Sequence, residues 1–200
     1  SASFNYPFGT ASDGSNLYVV DYGNHKIRKI VISTGAVTTF AGSTSNYSGS
    51  TDGTGTSARF KNPAGIIIVG SNLYVVEYGN HKIRKIVIST GVVTTLAGSG
   101  SQGSTDGTGT AASFGYPQAM ISDGTNLYVA DTNNHKIRKI VISTGVVTTL
   151  AGSGDEGSAN GTGTSASFRY PSGITSDGTN LYVADINNHK IRKIVISTGV

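Results

Sequence analysis

The 200 residues contain no cysteine, no tryptophan, one methionine and four prolines. Without thiols there is no disulfide framework, no thiolate-held zinc or iron–sulfur site and no cysteine nucleophile. Charged residues make up only 13% of the chain and leave a net charge of +4, which excludes the highly charged, weakly apolar composition of a disordered tail. A membrane-spanning helix needs about 18 consecutive apolar residues, and no run approaches that; no membrane partner is expected. The chain opens Ser1-Ala2-Ser3-Phe4, with neither an initiator methionine nor a signal-peptide pattern, so a processed chain or a piece of a longer one is expected. The cysteine-free, Gly/Ser/Thr-rich composition sets the expectation of a secreted or extracellular setting.

Glycine is abundant instead, 28 of 200 residues, where average usage is about 7%. In a chain that is 36% apolar, so much glycine means many turns and points to β-structure. Self-comparison explains the turns. The string NHKIRKIVISTG begins at Asn24, Asn80, Asn134 and Asn188, and Phe4, Phe60, Phe114 and Phe168 recur with the same steps of 56, 54 and 54 residues. The chain divides into repeats 1-56, 57-110, 111-164 and 165-200.

Each repeat reads as four short strands. In the fourth, Gly173–Ser176 leads through Asp177-Gly178 into Leu181–Asp185, and Asn187-Asn188 turns the chain into His189–Ser197. The third repeat adds an outer strand, Val146–Ala151, for which the fourth has no counterpart beyond Val200. No window carries a helical apolar period, so the class is all-β. The second strand is apolar on both faces, as a sheet packed on both sides requires, and four-stranded antiparallel sheets repeated about an axis satisfy this: a β-propeller with one blade per repeat. An unpaired third strand in the last blade is an edge ready to pair with another chain, so self-association, or continuation into further blades, is expected.

The stretch Asn-Leu-Tyr-Val-Ala-Asp-x-x-Asn-His-Lys-Ile-Arg-Lys, with a preceding Phe-x-Tyr-Pro and a Gly-Asp-Gly loop, resembles the NHL repeat, and four ordered copies cover essentially the whole chain. Departures are Ile in place of the frequent Leu after the Lys, Glu77 at the strand-end acidic position, and Val69-Gly70 in place of Asp-Gly. The resemblance implies a propeller, commonly six-bladed, used mostly as a binding platform. It also leaves two alternatives, since some similar propellers hold a catalytic metal in the axial channel, as lyases or lactonases, and some bind RNA.

The residues themselves favour a non-enzymatic scaffold without cofactor or metal. The only histidines, His25, His81, His135 and His189, occupy equivalent turns away from the axis, too far apart for one zinc. Each has an acid four residues back (Asp21, Glu77, Asp131, Asp185), and a turn-bracing hydrogen bond is the expected role. The loops at Gly98–Gly103 and Gly152–Gly157 fit G-x-G-x-x-G but lead into no helix. Asp52-Gly53, Asp106-Gly107 and Asn160-Gly161 offer too few carboxylates for calcium and read as turns. Strand entry at the inner edge supplies no convergent carboxylate or His for a metal enzyme. Asn46-Tyr47-Ser48 and Asn160-Gly161-Thr162 fit glycosylation sequons.

Twelve of the 15 Lys and Arg lie in the four His-Lys-Ile-Arg-Lys strings. Lys26, Arg28, Lys82, Arg84, Lys136, Arg138, Lys190 and Arg192 are therefore expected on a basic rim, open to phosphate backbones but favoured as ordinary solvated charges. The repeats disagree after the Phe, after the Pro and in the second turn. These spots are expected to share one face, and Asn5, Phe8, Tyr22, Lys61, Tyr78, Gln118, Arg169 and Ser172 are the candidate ligand residues there. A protein or glycan is the expected partner; nucleic acid is the less favoured one.

Overall fold

The computed structural model describes residues 2–200. Alternation in the second strand sends Leu17 and Val19 to one face and Tyr18 and Val20 to the other, and the Tyr18 and Val20 face is buried against the next blade. In the first repeat β1 (Pro7–Ser12), β2 (Asn16–Asp21), β3 (Lys26–Val31) and β4 (Val37–Ala41) form an antiparallel sheet in that order. The linker then contributes β5 (Gly53–Thr54), which joins the following blade. That blade comprises β6 (Pro63–Val69), β7 (Asn72–Glu77), β8 (Lys82–Val87) and β9 (Val92–Ala97), with β5 paired to β9. The third repeat places β10 (Gly107–Thr108) before β11 (Ala119–Ser122), β12 (Asn126–Asp131), β13 (Lys136–Val141) and β14 (Val146–Ala151), and β10 pairs with β14. The fourth sheet has three strands, β15 (Pro171–Ser176), β16 (Asn180–Asp185) and β17 (Lys190–Val195).

The architecture is the expected all-β propeller of four blades, with an added fifth strand in the second and third. Because Gly53–Thr54 and Gly107–Thr108 belong to the sheets that follow them, each sheet begins a few residues before the repeat boundary at 56/57 or 110/111. The inner strands pack in sequence about the axis, β1 on β6, β6 on β11 and β11 on β15. Among the described residues β15 makes no comparable contact with β1.

Three cores lie between successive blades and use the same residues. Tyr18, Val20 and Ile27 of the first blade meet Leu73, Val75 and Ile86 of the second; Tyr74, Val76 and Ile83 meet Leu127, Val129 and Ile140; Tyr128, Ala130 and Ile137 meet Leu181, Val183 and Ile194. Phe60, Phe114 and Phe168 fill each joint from the linker. No helix is long and apolar enough to cross a membrane among the described residues.

The third strand of each blade starts one residue later than its sequence pattern suggests. His25, His81, His135 and His189 all sit at φ near +55°, in the left-handed region that closes the short 3-10 turn before them. The fourth blade's third strand therefore runs from Lys190 to Val195, not from His189 to Ser197.

A candidate binding face of aromatic rings

The face carrying the second turns is set by one buried polar unit repeated four times. At the end of each second strand an acid, Asp21, Glu77, Asp131 or Asp185, is fully buried. Asp131 accepts hydrogen bonds from the Gly115 amide (2.7 Å), Asn134 Nδ2 (2.8 Å) and Arg138 Nη1 (2.8 Å). Burial pushes its carboxyl up, and these three donors counter that by stabilising the anion. Arg138 lies opposite Val129 across the ladder, so it reaches Asp131 diagonally on the same face. Its guanidinium also lies over the Phe114 ring, 5.3 Å from the centroid, and holds Asp106 of the linker at 2.6 Å. Arg84 repeats this with Glu77, Phe60 and Asp52.

This unit corrects the expected basic rim. Arg84 and Arg138 are fully buried, Arg28 and Arg192 nearly so, and Lys26 is buried with Nζ 3.3 Å from the Thr44 carbonyl. Lys82 and Lys136 are half-buried, leaving Lys190 alone of the eight exposed. Paired acids offset the desolvation of the four arginines, so these side chains point inward although the string reads as surface. Asp52 and Asp106, expected as simple turn residues, are the linker's anchors to arginine and also accept from Thr95 and Thr149.

The histidines are likewise redirected. They do not brace their own turn through the neighbouring acid, which the arginine and asparagine already occupy. Nδ1 of His25, His81 and His135 instead accepts the backbone N–H of Asn62, Tyr116 and Tyr170 in the next blade, at 3.1, 3.1 and 3.2 Å. Those three donors have φ near +50° in front of proline, a strained conformation that aims the N–H at the ring. Burial lowers the pKa of all three imidazoles, which favours the neutral form an acceptor nitrogen requires.

On this frame the variable positions separate into two groups. Asn5, Lys61 and Arg169 use their backbone: their amides donate to the buried acids, and their carbonyls accept from Gly23, Gly79 and Asn187 of the turn. The Lys61 side chain lies along Gly79, where an added Cβ would meet Lys61 Cγ at 2.8 Å. Arg169 is tied to Glu156 at 2.8 Å. Phe8, Tyr22, Tyr78 and Gln118 meet in a cleft of about 380 Å³ that Tyr6 and Ala64 complete. Ser172 is not part of it. Ala64 stands in the variable column after the repeated Pro, with Phe8 and Gln118, whereas Tyr6 lies in the column before it, where the sequence pattern shows no sign of a site.

The rings form a continuous row. Phe8 lies 6.4 Å from Tyr22, Tyr22 6.4 Å from Tyr78, and Tyr78 5.0 Å from Tyr116, which meets His81 edge-on at 4.5 Å. Burial, with Tyr78 beside it, raises the Tyr22 phenol. No lining side chain is charged. No group of three His, Cys, Asp or Glu converges as a metal site would among the described residues.

The chain is similar to NHL repeat-containing protein 2 of Homo sapiens, 32% identical over 157 residues that cover 70% of this chain and 22% of that protein. These are NHL repeats folded as a β-propeller. The chloroplastic protein Suppressor of Quenching 1 of Arabidopsis thaliana is also 32% identical, over 200 residues covering 92% of this chain and 18% of its own. The NHL propeller described here thus spans about a fifth of the length of these relatives. No family model matches it. Among solved structures, an auxiliary nutrient binding protein from Bacteroides ovatus superposes with a TM-score of 0.76 at 23% identity, over 96% of this chain and 48% of that one, a likeness of fold.

Proposed function

We propose that this NHL propeller is a non-enzymatic binding scaffold whose ligand is a neutral glycan seated in the aromatic cleft. The observation that carries the reading is the convergence of Tyr6, Phe8, Tyr22 and Tyr78 with Gln118 in one uncharged cleft. Aromatic faces offer an apolar, electron-rich platform to the C–H face of a sugar ring, while Gln118 and the phenols supply the few placed polar groups that orient a ligand. The acids that recur round the ring are each engaged by an arginine, which supports a structural role for them. The structural likeness to a nutrient binding propeller is compatible with the reading, and an extracellular setting is part of the same proposal.

The test is titration of a panel of neutral oligosaccharides by calorimetry. The expected result is saturable binding to the wild type, weakened at least about tenfold, or roughly 1.4 kcal/mol, by Tyr22→Ala combined with Tyr78→Ala. Absence of binding across the panel, or undiminished binding by the double variant, overturns it. Polynucleotide binding that falls steeply with salt would favour the RNA alternative instead.

A further inference from the structure

The cleft is assembled across two joints, and one histidine closes each of them. Its wall takes Tyr22 and Tyr78 from the second turns of the first two blades, and Ala64 and Gln118 from the proline segments that enter the blades after them. His25 and His81 end those turns, three residues after Tyr22 and Tyr78. Their Nδ1 atoms hold the amides of Asn62 and Tyr116, each two residues before Ala64 and Gln118. Each latch thus ties a turn of one blade to the wall segment of the next, and the two together position four of the six lining residues. Both lie inside the chain, where the first blade meets the second and the second meets the third. The third latch, His135 to Tyr170, leads into Pro171 and Ser172, which do not line the cleft.

A neutral imidazole accepts at Nδ1, whereas a protonated one donates from both nitrogens. Protonation would set N–H against N–H across the 3.1 Å contacts of His25 and His81, and the two groups would part. The charges facing these rings do not favour the imidazolium. Burial, and the Lys61 ammonium on the linker into the second blade, oppose protonation of both. The acids of their own turns are engaged elsewhere, Asp21 by Arg28 at 3.2 Å and Glu77 by Arg84 at 2.7 Å. Lys26 and Lys82, next in the chain, carry their ammonium groups to the loop after the outer strand, at Thr44 and Gly100. Tyr116 meets His81 only with its ring, edge-on. His135 stands apart, with Glu156 at 3.9 Å and Arg169, Asp185 and Asp155 also acting on it.

We propose that His25 and His81 are positioning residues that hold the aromatic cleft together in their neutral form and open it when protonated, as Ala64 and Gln118 move away from Tyr22 and Tyr78. This rests on the cleft as the binding site and not on the glycan. Any occupant that needs all the walls prefers the closed form, so it is bound at neutral pH and released in acid.

The test follows the free protein by NMR as the pH is lowered from 7.5 to 4. In the wild type the Ala64 methyl and the Gln118 side-chain amide are expected to shift with the midpoints of the His25 and His81 ring protons, and the contact between the Tyr78 and Tyr116 rings to be lost. The methyl groups of Val75 and Val129, inside the joints, stay fixed and show that the blades remain folded. His25→Asn combined with His81→Asn keeps an acceptor oxygen close to the place of Nδ1 and accepts the left-handed backbone, but does not titrate; its cleft is expected to stay closed throughout. His25→Ala combined with His81→Ala is expected to show the open cleft already at pH 7.5. His135→Asn is expected to leave the titration of Ala64 and Gln118 unchanged. Lining resonances that ignore the imidazole midpoints in the wild type, or that still titrate in the double Asn variant, overturn the proposal, and these two readings decide it even where the double Ala variant does not fold. Sugar binding plays no part in the readout, so a failed sugar titration strikes the glycan reading and leaves this one standing.

Discussion

The third and fourth blades are nearly one sequence in two environments. Residues 111–146 and 165–200 differ at seven places, which in the third blade are Ala111, Gly115, Gln118, Ala119, Met120, Ile121 and Thr132. Their third strands are identical, Lys-Ile-Arg-Lys-Ile-Val, yet Ile137 is fully buried and Ile191 exposed. Burial at this position is therefore a property of the joint and not of the blade. Stability in such an array is a sum of unit terms and nearest-neighbour terms, and the two blades separate them.

The largest effect expected from breaking the comparison is at the buried ion pair. Arg138→Met keeps the volume but leaves Asp131 buried without its cation, a loss of about 3–5 kcal/mol. Arg28 makes the same contact to Asp21 at 3.2 Å but is partly exposed. Its guanidinium reaches Ser3 and Thr38 carbonyls in place of a linker aspartate, so Arg28→Met is expected to cost clearly less. Urea unfolding of the two variants ranks them; equal losses would show that the linker aspartates add nothing.

The apolar comparison comes next. Ile137→Ala opens a void in the third joint and is expected to cost about 2–5 kcal/mol, whereas Ile191→Ala stays within about 0.5 kcal/mol. Comparable losses at both sites would place the energy inside the blade after all.

A smaller effect falls on the latch. His135→Ala removes the acceptor of the Tyr170 amide, a loss of about 1–3 kcal/mol, and His189→Ala removes no such bond among the described residues. Because burial lowers the His135 pKa below its ordinary 6.5, the unfolded chain binds the extra proton first. Stability from this site is full above pH 6.5 and is lost as the pH falls through the lowered folded value. Thermal melts between pH 7.5 and 5 should fall for the wild type and flatten in a triple variant lacking His25, His81 and His135.

Repeat length, strand order and blade class were legible in the sequence because they rest on local alternation and turn chemistry. The two apolar faces of the second strand, Leu181 and Val183 against Tyr182 and Ala184, already announced a neighbour on each side. The polar core was not legible. Arg138 reads as one charge in a surface string, and what buries it lies 7, 25 and 32 residues away, at Asp131, the Ser113 carbonyl and Asp106. The histidine's partner is 35 residues off and is a backbone N–H, which leaves no mark in side-chain pattern. Part of the candidate site was legible for a different reason: disagreement among near-identical repeats pointed to Phe8, Tyr22, Tyr78 and Gln118, but could not separate them from Asn5, Lys61 and Arg169, whose backbones serve the fold.

The smallest effect sharpens the contrast between the second blade and its neighbours, at the turn joining the first two strands. Burial pushes the Asp123 carboxyl up, but hydrogen bonds from the Asn126 side chain and amide, the Tyr128 hydroxyl and the Thr125 amide outweigh it and hold the pKa at about 2, against an ordinary 3.8. The second blade has Val69 here, and its strands run directly into a two-residue turn with Gly70 at φ +56°. The depressed value means that Asp123 supports the fold fully above pH 3.8 and loses that contribution as the pH falls through about 2. In an acid titration followed by NMR, the Thr125 and Asn126 amide shifts should move with a midpoint near 2, while those of Ser71 and Asn72, with no carboxylate beside them, stay fixed. A midpoint for Asn126 near 3.8 would mean that the turn's hydrogen bonds do not discriminate between carboxylate and acid, and that Val69-Gly70 and Asp123-Gly124 are interchangeable solutions to one turn.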